Sequence, residues 1–408
     1  MNQAKQSDRF FQSAVFAVVA VLAFLGSTPV FADTEPPLQH DARSVGMGGT
    51  GTAFIDSPAA TLYNPANLDG THRYSLMVSL TPGFGVLEAP FAAGPGPVEQ
   101  VDSSLSVIPL FFLGGAVRLE ERVTVGLAAY TLGGIGGKYQ DIDSLGGQDL
   151  DLVVALGEVA MPIAFQINEA LQIGASFRLG FALQQSDVLN PASGMREEQD
   201  SFAFGAPGLQ LGLTYRPIPI LSLAVTYRSK MKFEPEGELT SAAGTFDVDS
   251  EWYSPHALRF GTALSLMEER LLLAFDLKFQ FYDESHNVIP TRVEGEPVPR
   301  MLVLNWKDTT TVMLGGEYKF TEQWAGRLGY AVGTSATAEA TASAFFPPPG
   351  VLHAFTAGAG VTLDRWELGL ALAYSFSNYE LTQPSVNGAP GDYGADQFYV
   401  ALSGVYRH

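Results

Sequence analysis

Hydrophobic residues recur at every second position over long stretches of this chain. Between Leu171 and Leu183, the side chains of Leu171, Ile173, Ala175, Phe177, Leu179, Phe181 and Leu183 share one face. Gln172, Gly174, Ser176, Arg178, Gly180 and Ala182 share the other. Between Leu271 and Phe281, six apolar residues oppose Asp276, Lys278 and Gln280 in the same way, and the stretch from Trp366 to Phe376 repeats the pattern. A period of two is that of a strand with one apolar and one polar face. The runs are longer than the roughly five or six residues of a common soluble strand. They suit the ~9–11 residues of a tilted strand that crosses a bilayer.

About fourteen such segments run along the chain, near 73–81, 103–119, 122–132, 151–167, 171–184, 201–216, 220–233, 251–266, 271–282, 309–320, 324–333, 351–363, 365–379 and 395–407. Six of the connections are tight: 120–122, 168–170, 217–219, 267–270, 321–323 and Asp364. Between them lie longer polar or Pro/Gly-rich stretches near 82–102, 133–150, 185–200, 234–250, 283–308, 334–350 and 380–394. Long and short connections alternate strictly, as the external loops and periplasmic turns of an outer-membrane barrel do. The expected fold is all-β, a 14-stranded antiparallel transmembrane β-barrel over residues 71–408. Residues 33–70 lack the alternation, and a cylinder of this size leaves a lumen that its own wall does not fill. They are therefore expected to form an N-terminal lumenal plug, or hatch.

Composition supports export to a membrane. Charged residues make up 16% of the 408 positions, against roughly 25% in ordinary soluble domains, while the apolar share is 46%. Lys5 and Arg9 precede the apolar run from Ala14 to Leu25, and Val30-Phe31-Ala32 has the small-residue spacing of a cleavage site. Residues 1–32 thus read as a signal peptide, with an apolar core too short to span. With 43 acids against 23 basic residues the chain carries a formal charge of -20, which excludes a nucleic-acid partner that needs a basic face. The absence of cysteine removes disulfides, thiolate metal sites and a cysteine nucleophile.

A series of motifs resembles one known family. Ala42-Arg-Ser-Val-Gly-Met-Gly-Gly-Thr-Gly51 and the following Asp56-Ser-Pro-Ala-Ala-Thr-Leu-Tyr-Asn-Pro-Ala-Asn-Leu68 are similar to the N-terminal hatch of the FadL-type long-chain fatty-acid and hydrocarbon transporters of Gram-negative outer membranes. Asn64-Pro65-Ala66 stands where that family has its Asn-Pro-Ala motif. Val225–Phe233, Asn305–Thr309, Gly315–Tyr318 and Arg327–Tyr330 continue the likeness in order. The resemblance implies passive transport of hydrophobic molecules, long-chain fatty acids first and aromatic hydrocarbons next, with lateral release into the membrane. It assigns a gate to Asn64, Pro65 and Ala66. It also assigns a lateral exit to a kink at Gly133, Gly134, Gly136 and Gly137, beside that gate segment. Three departures are visible: short stretches at 185–200 and 234–250, Leu132-Gly-Gly-Ile-Gly-Gly137 in place of a Pro-Phe-Gly-like turn, and a terminus of Tyr406-Arg407-His408 that lacks the final aromatic residue.

The remaining chemistry is sparse. Gly46-x-Gly48-x-x-Gly51 matches a dinucleotide fingerprint in spacing, but no preceding strand and following helix frame it, so hatch backbone is the expectation. Arg178, Lys278 and Arg327 face inward by parity and are candidates to hold a ligand carboxylate; pairing with Asp276, Glu317 or Glu367 is the plainer alternative. No nucleophile elbow or zinc-protease motif occurs, and His353 with Ser343 and Ser335 is the weak candidate for an outer-membrane lipase. The expectation is a transporter rather than an enzyme, without cofactor or metal, monomeric, set in outer-membrane lipid. A general polar porin and a purely structural barrel are the alternatives of a different class.

Overall fold

The computed structural model describes residues 31–33, 38, 40–68, 71–93, 96–189, 194–282 and 287–408. The proposed basic and apolar parts of the signal peptide lie outside the described residues. Fourteen wall strands follow one another in antiparallel pairs. They are β1 (Tyr74–Phe91), β2 (Ser106–Glu120), β3 (Val123–Ile142), β4 (Gln148–Gln166) and β5 (Leu171–Leu189). Next come β6 (Arg196–Phe204 with Gly208–Ile218), β7 (Leu221–Arg228, Met231–Phe233 and Glu236–Ser241) and β8 (Gly244–Ser250, Trp252–Ser254 and His256–Leu266). The last six are β9 (Leu271–Phe281), β10 (Thr309–Lys319), β11 (Trp324–Gly333), β12 (Leu352–Leu363), β13 (Trp366–Leu381) and β14 (Gly391–Arg407). Pairing of Ser75 with Arg407 and of Glu88 with Gly394 joins β1 to β14 and closes the cylinder.

The two faces of each strand are inverted relative to a soluble sheet. On β13, Leu368, Leu370, Leu372 and Tyr374 are exposed, while Ala371, Ala373 and Ser375 are buried. On β9, Leu273, Phe275 and Phe281 point outward and Asp276, Lys278 and Gln280 inward. An apolar outer band with small or polar residues inside is what lipid outside and a filled lumen require. Exposed Trp324, Phe320, Trp366 and Tyr406-flanked positions gather at the short-turn end, where Trp366 and Tyr406 ring centroids are 5.0 Å apart. Such aromatic girdles mark membrane interfaces. Among the described residues no helix is long and apolar enough to cross a membrane.

Five of the six tight turns fall where the sequence places them, and the one expected at 217–219 lies at 219–220, because Pro217 and Ile218 continue the strand. Strands reach further into the long connections than the alternation implies. β1 continues to Phe91 and β3 to Ile142, and 234–250 is a hairpin of Glu236–Ser241 with Gly244–Ser250. Gly133, Gly134, Gly136 and Gly137 therefore lie within β3, not beyond it. The reason is that backbone N–H and C=O groups keep pairing past the bilayer, where the outer face no longer needs to be apolar and the sequence signal fades.

Residues 40–68 lie inside the barrel. Helix α1 (Ala42–Gly46), helix α2 (Ala60–Tyr63) and a 3-10 turn at Pro65–Asn67 are joined by Gly-rich bends. Asp41 starts α1 by accepting from the Arg43 N–H at 2.9 Å. This segment shares its apolar cores with the wall. Ile55, Leu62, Tyr63 and Leu68 pack with Phe112, Tyr130 and Leu156, and Leu38, Ala42 and Val45 with Met313, Ala354 and Tyr399.

Candidate functional site

Three groups of polar contacts hold the inner segment to the wall. Asp276 on β9 accepts from the N–H groups of Gly51 and Thr52, each at 3.0 Å, and from Thr52 Oγ1 at 2.7 Å. Its other partner is Arg259 Nε at 3.0 Å. The spacing that mimicked a phosphate loop thus presents its amides to a protein carboxylate. Near the short-turn end, Glu317 takes Arg43 (Nη2 2.8 Å) and Arg327 (Nε 2.6 Å), while Arg407 bridges Glu367 at 2.5 Å and Asp56 at 3.0 Å. The third group is the Asn-Pro-Ala turn. Asn64 Nδ2 donates to Thr52 O and Thr214 Oγ1, each at 2.9 Å, and Thr214 Oγ1 donates to Asn67 Oδ1 at 2.7 Å. The turn lies directly on Gly174 of β5 and Gly212 of β6. A Cβ at Gly174 would meet the Pro65 and Ala66 backbone, and one at Gly212 would meet Asn64 Oδ1. Glycine is required at both positions by this close approach.

The wall itself is interrupted between β2 and β3. Their ladder runs from Glu120 opposite Val123 to Phe112 opposite Tyr130; among the described residues no ladder pair follows, and the next backbone bond is from the Ser104 N–H, just before β2, to the Lys138 carbonyl at 2.7 Å. β2 remains paired with β1 as far as Ser106. β3 remains paired with β4, but with a bulge at Leu132, between Thr131 opposite Gly157 and Gly133 opposite Leu156. A bulge bends its strand and raises the local twist. Gly136, at φ +147, follows with a backbone that only glycine takes readily, and its Cβ would collide with Leu152. On β2, Pro109 has no N–H to offer across this stretch. In the full chain the edge of β3 pairs with Phe31–Asp33, with Phe31 opposite Gly136 and Asp33 opposite Gly134; Phe31 and Ala32 belong to the expected signal peptide. Asn64-Pro65-Ala66, in contrast, sits against β5 and β6. The sequence-based expectation that the glycine run adjoins that turn is corrected accordingly.

The lumenal cations fall into two places. Arg178 lies 3.6 Å from Glu158, and Arg228 binds the same carboxylate at 2.9 Å. Tyr130 donates to Glu158 Oε2 at 2.7 Å, and Arg178 also reaches Ser229 O at 3.1 Å. Beside this group a cavity of about 20 Å³ is lined by Arg228, Arg259, Lys278, Tyr63, Leu62 and Thr226. Arg327 is elsewhere, bound to Glu317. The structure therefore brings the surroundings of Arg178 and Lys278 together through Arg228 and separates Arg327 from both. Sequence reasoning missed Glu158, although it is the lone charge in the apolar stretch 152–164, and it missed Arg259. Buried charges of this kind persist only when paired and hydrogen-bonded.

Above the cations the lumen narrows. Met231–Phe233 and Trp252–Ser254 pair with each other, apart from the main sheet. Phe233 stacks on Trp252 at 4.6 Å and fills the space over Gly180 and Gly205. At the long-loop mouth Tyr282, Leu304, Trp306 and Phe346 form an aromatic cluster beside a cavity of about 30 Å³. His353 is engaged by the Tyr330 hydroxyl at 2.8 Å.

Comparison with known proteins agrees with this architecture. Residues 38–387 match the model of the family described as outer membrane protein transport protein (OMPP1/FadL/TodX). The fold is similar to that of a FadL homologue from Pseudomonas aeruginosa, with a TM-score of 0.76 at 16% identity, over 93% of this chain and 100% of that one. It is also similar to the toluene transporter TodX of P. putida (TM-score 0.72, 17% identity, 91% and 99% covered) and to the CymD monoaromatic hydrocarbon channel (0.66, 17%, 92% and 99%). A curated Chlorobium limicola protein, described as uncharacterized and encoded in a phosphoenolpyruvate carboxykinase gene 5' region, is 36% identical over 63 residues; the match spans 15% of this chain and 31% of that relative. With its family motifs, closed fourteen-strand wall and internal N-terminal segment, the chain belongs to the OMPP1/FadL/TodX family of outer-membrane transport proteins.

Proposed function

We propose that this protein passes hydrophobic molecules, long-chain fatty acids first, across the outer membrane without energy input. In this reading ligand enters from the aromatic mouth, rests in the lumen above the plug formed by residues 33–70, and leaves sideways into lipid. The observation that carries it is the break between β2 and β3, at the bulge before Gly133, Gly134, Gly136 and Gly137. A continuously paired wall has no gap through which a ligand could leave sideways, so the stretch over which β2 and β3 part supports a passage into lipid. Lateral release also keeps the ligand's apolar burial, about 0.8 kcal/mol per methylene, which release into water forfeits. Asn64, Pro65 and Ala66 act as the fixed end about which the gate moves. The cation-lined cavity at Arg228, Arg259 and Lys278, next to Arg178, supports a carboxylate-bearing ligand. The aromatic mouth and the likeness to toluene and monoaromatic channels favour uncharged aromatic hydrocarbons as the second reading.

One experiment addresses route and ligand together. Deleting Leu132 removes the bulge and restores continuous register with β4 as far as Tyr139. Uptake of a labelled fatty acid into proteoliposomes should fall at least roughly ten-fold while binding to the purified barrel is kept. Uptake at the original rate would exclude the lateral route. In the same assay Lys278→Met should weaken binding of the acid about ten-fold more than of its alcohol, since a charge-assisted hydrogen bond contributes about 1.5–3 kcal/mol. Equal losses for both would favour the uncharged ligand.

A further inference from the structure

The ladder between β2 and β3 ends at a defined atom pair. Phe112 and Tyr130 are the last partners, so the next bond of a regular antiparallel ladder would run from the Phe111 N–H to the Thr131 carbonyl. Neither group is idle. The Phe111 N–H donates to Thr131 Oγ1 at 2.9 Å, and the Thr131 carbonyl accepts from His40 Nε2 at 2.5 Å. One side chain from the wall and one from the plug have taken the donor and the acceptor of that bond. His40 is fully buried, and the plug holds its backbone through the Tyr63 hydroxyl, which donates to His40 O at 2.6 Å.

We infer that His40 is a positioning residue which, with Thr131, stops β2 and β3 from pairing further and so ties the width of the wall opening to the seating of the plug. The inference rests on the lateral route proposed above. Burial lowers the imidazole pKa to about 4 against the opposing effect of the Thr131 bond, so the ring is neutral in ordinary media and carries one N–H. That N–H is spent on Thr131, and Nδ1 has no hydrogen-bond partner among the described residues. When the plug shifts, the Thr131 carbonyl is released and Phe111 is the nearest backbone donor in register. Pro109, two residues on and facing the same way, limits how far the strands then close.

Hydrogen exchange at the Phe111 amide, measured on the full chain in detergent, reads this directly. Thr131→Val removes the hydroxyl acceptor but leaves the carbonyl on His40, so exchange should accelerate roughly ten-fold. Adding His40→Phe, which keeps a ring but no donor, frees the carbonyl; the double variant should regain protection and lose uptake at unchanged binding. Thr131→Val with His40→Gln keeps a donor on the carbonyl and should exchange like Thr131→Val alone. A double variant that exchanges as fast as Thr131→Val overturns the inference, as does regained protection in the Gln variant. Because exchange does not depend on where ligand leaves, that failure is separate from survival of uptake after Leu132 deletion, which sinks the route.

Discussion

His40 and Asp41 are neighbours in the chain and both are buried inside the barrel, yet burial moves their proton affinities in opposite directions. The imidazole is held down at about 4. The Asp41 carboxyl is lifted to about 6, mainly by burial and further by Glu367, against the Arg43 N–H bond and the charges of Arg327 and Arg43. As pH falls from 6 toward 4, the docked plug takes up a proton at Asp41 that the undocked chain does not, so this residue strengthens docking. Over nearly the same window the undocked chain protonates His40 and the docked one does not, so that residue weakens docking. The two offsets oppose each other, so docking should vary with pH between about 6 and 4 less than either residue alone would make it vary. Asp41→Asn should expose a loss of docking on acidification, and His40→Gln a gain, each on the order of 3 kcal/mol over the full window. Protection of plug amides at pH 7 and 4.5 checks both signs. At this scale the sequence was only partly legible. Parity placed Arg178, Lys278 and Arg327 in the lumen correctly, because a period of two is local. Arg327 stands directly opposite Glu317 in the β10–β11 hairpin, the plainer pairing that the sequence allowed, and Arg178 and Glu158 lie diagonally on the adjacent β5 and β4. What no local pattern encodes is the second cation on each carboxylate, Arg43 from the inner segment and Arg228 from β7, because those elements meet only across the lumen.

Elements were legible to the extent that lipid dictates them. Turns such as Asp364 and Met267–Arg270 stand out because apolar alternation stops on both sides of them. The upper parts of β1 and β3 do not, since their outward residues face no hydrocarbon and the alternation loses its apolar half. The inward hairpin of β7 and β8 was hidden for another reason. Met231, Phe233 and Trp252 continue a strand-like pattern, but the close approach of Phe233 depends on the missing side chains of Gly180 and Gly205, and that of Met231 on Gly208, all on other strands. Removing that ring should widen the lumen beside Gly180 and Gly205. Phe233→Ala is expected to raise the uptake rate of a bulky ligand several-fold, and to cost about 3–5 kcal/mol of stability. Uptake of paired slim and branched ligands, with thermal unfolding in detergent, measures the two effects separately. An unchanged preference between the ligands would show that the hairpin does not set the passage.

The whole molecule is a closed wall around a bonded filler, and its electrical behaviour follows from that arrangement. Deleting residues 33–70 should turn a nearly non-conducting barrel into an open pore in planar bilayers, because residues 40–68 occupy the cross-section at the level of Asp276 and Glu317. Conductance unchanged by the deletion would overturn the assignment of these residues as the plug. The closing seam has a further consequence, for the order of assembly. β1 and β14 are the first and last wall strands made, and every other strand lies between them in the chain. The filler precedes β1, yet its Arg43 and Gly46 rest on walls formed late, at Glu317 on β10 and Gly358 on β12. A finished cylinder would have to admit this segment through one end against its own buried ion pairs. The shorter path is for the nascent sheet to curl around the N-terminal segment while the seam is still apart, so that sealing the wall and trapping its contents are a single event in time.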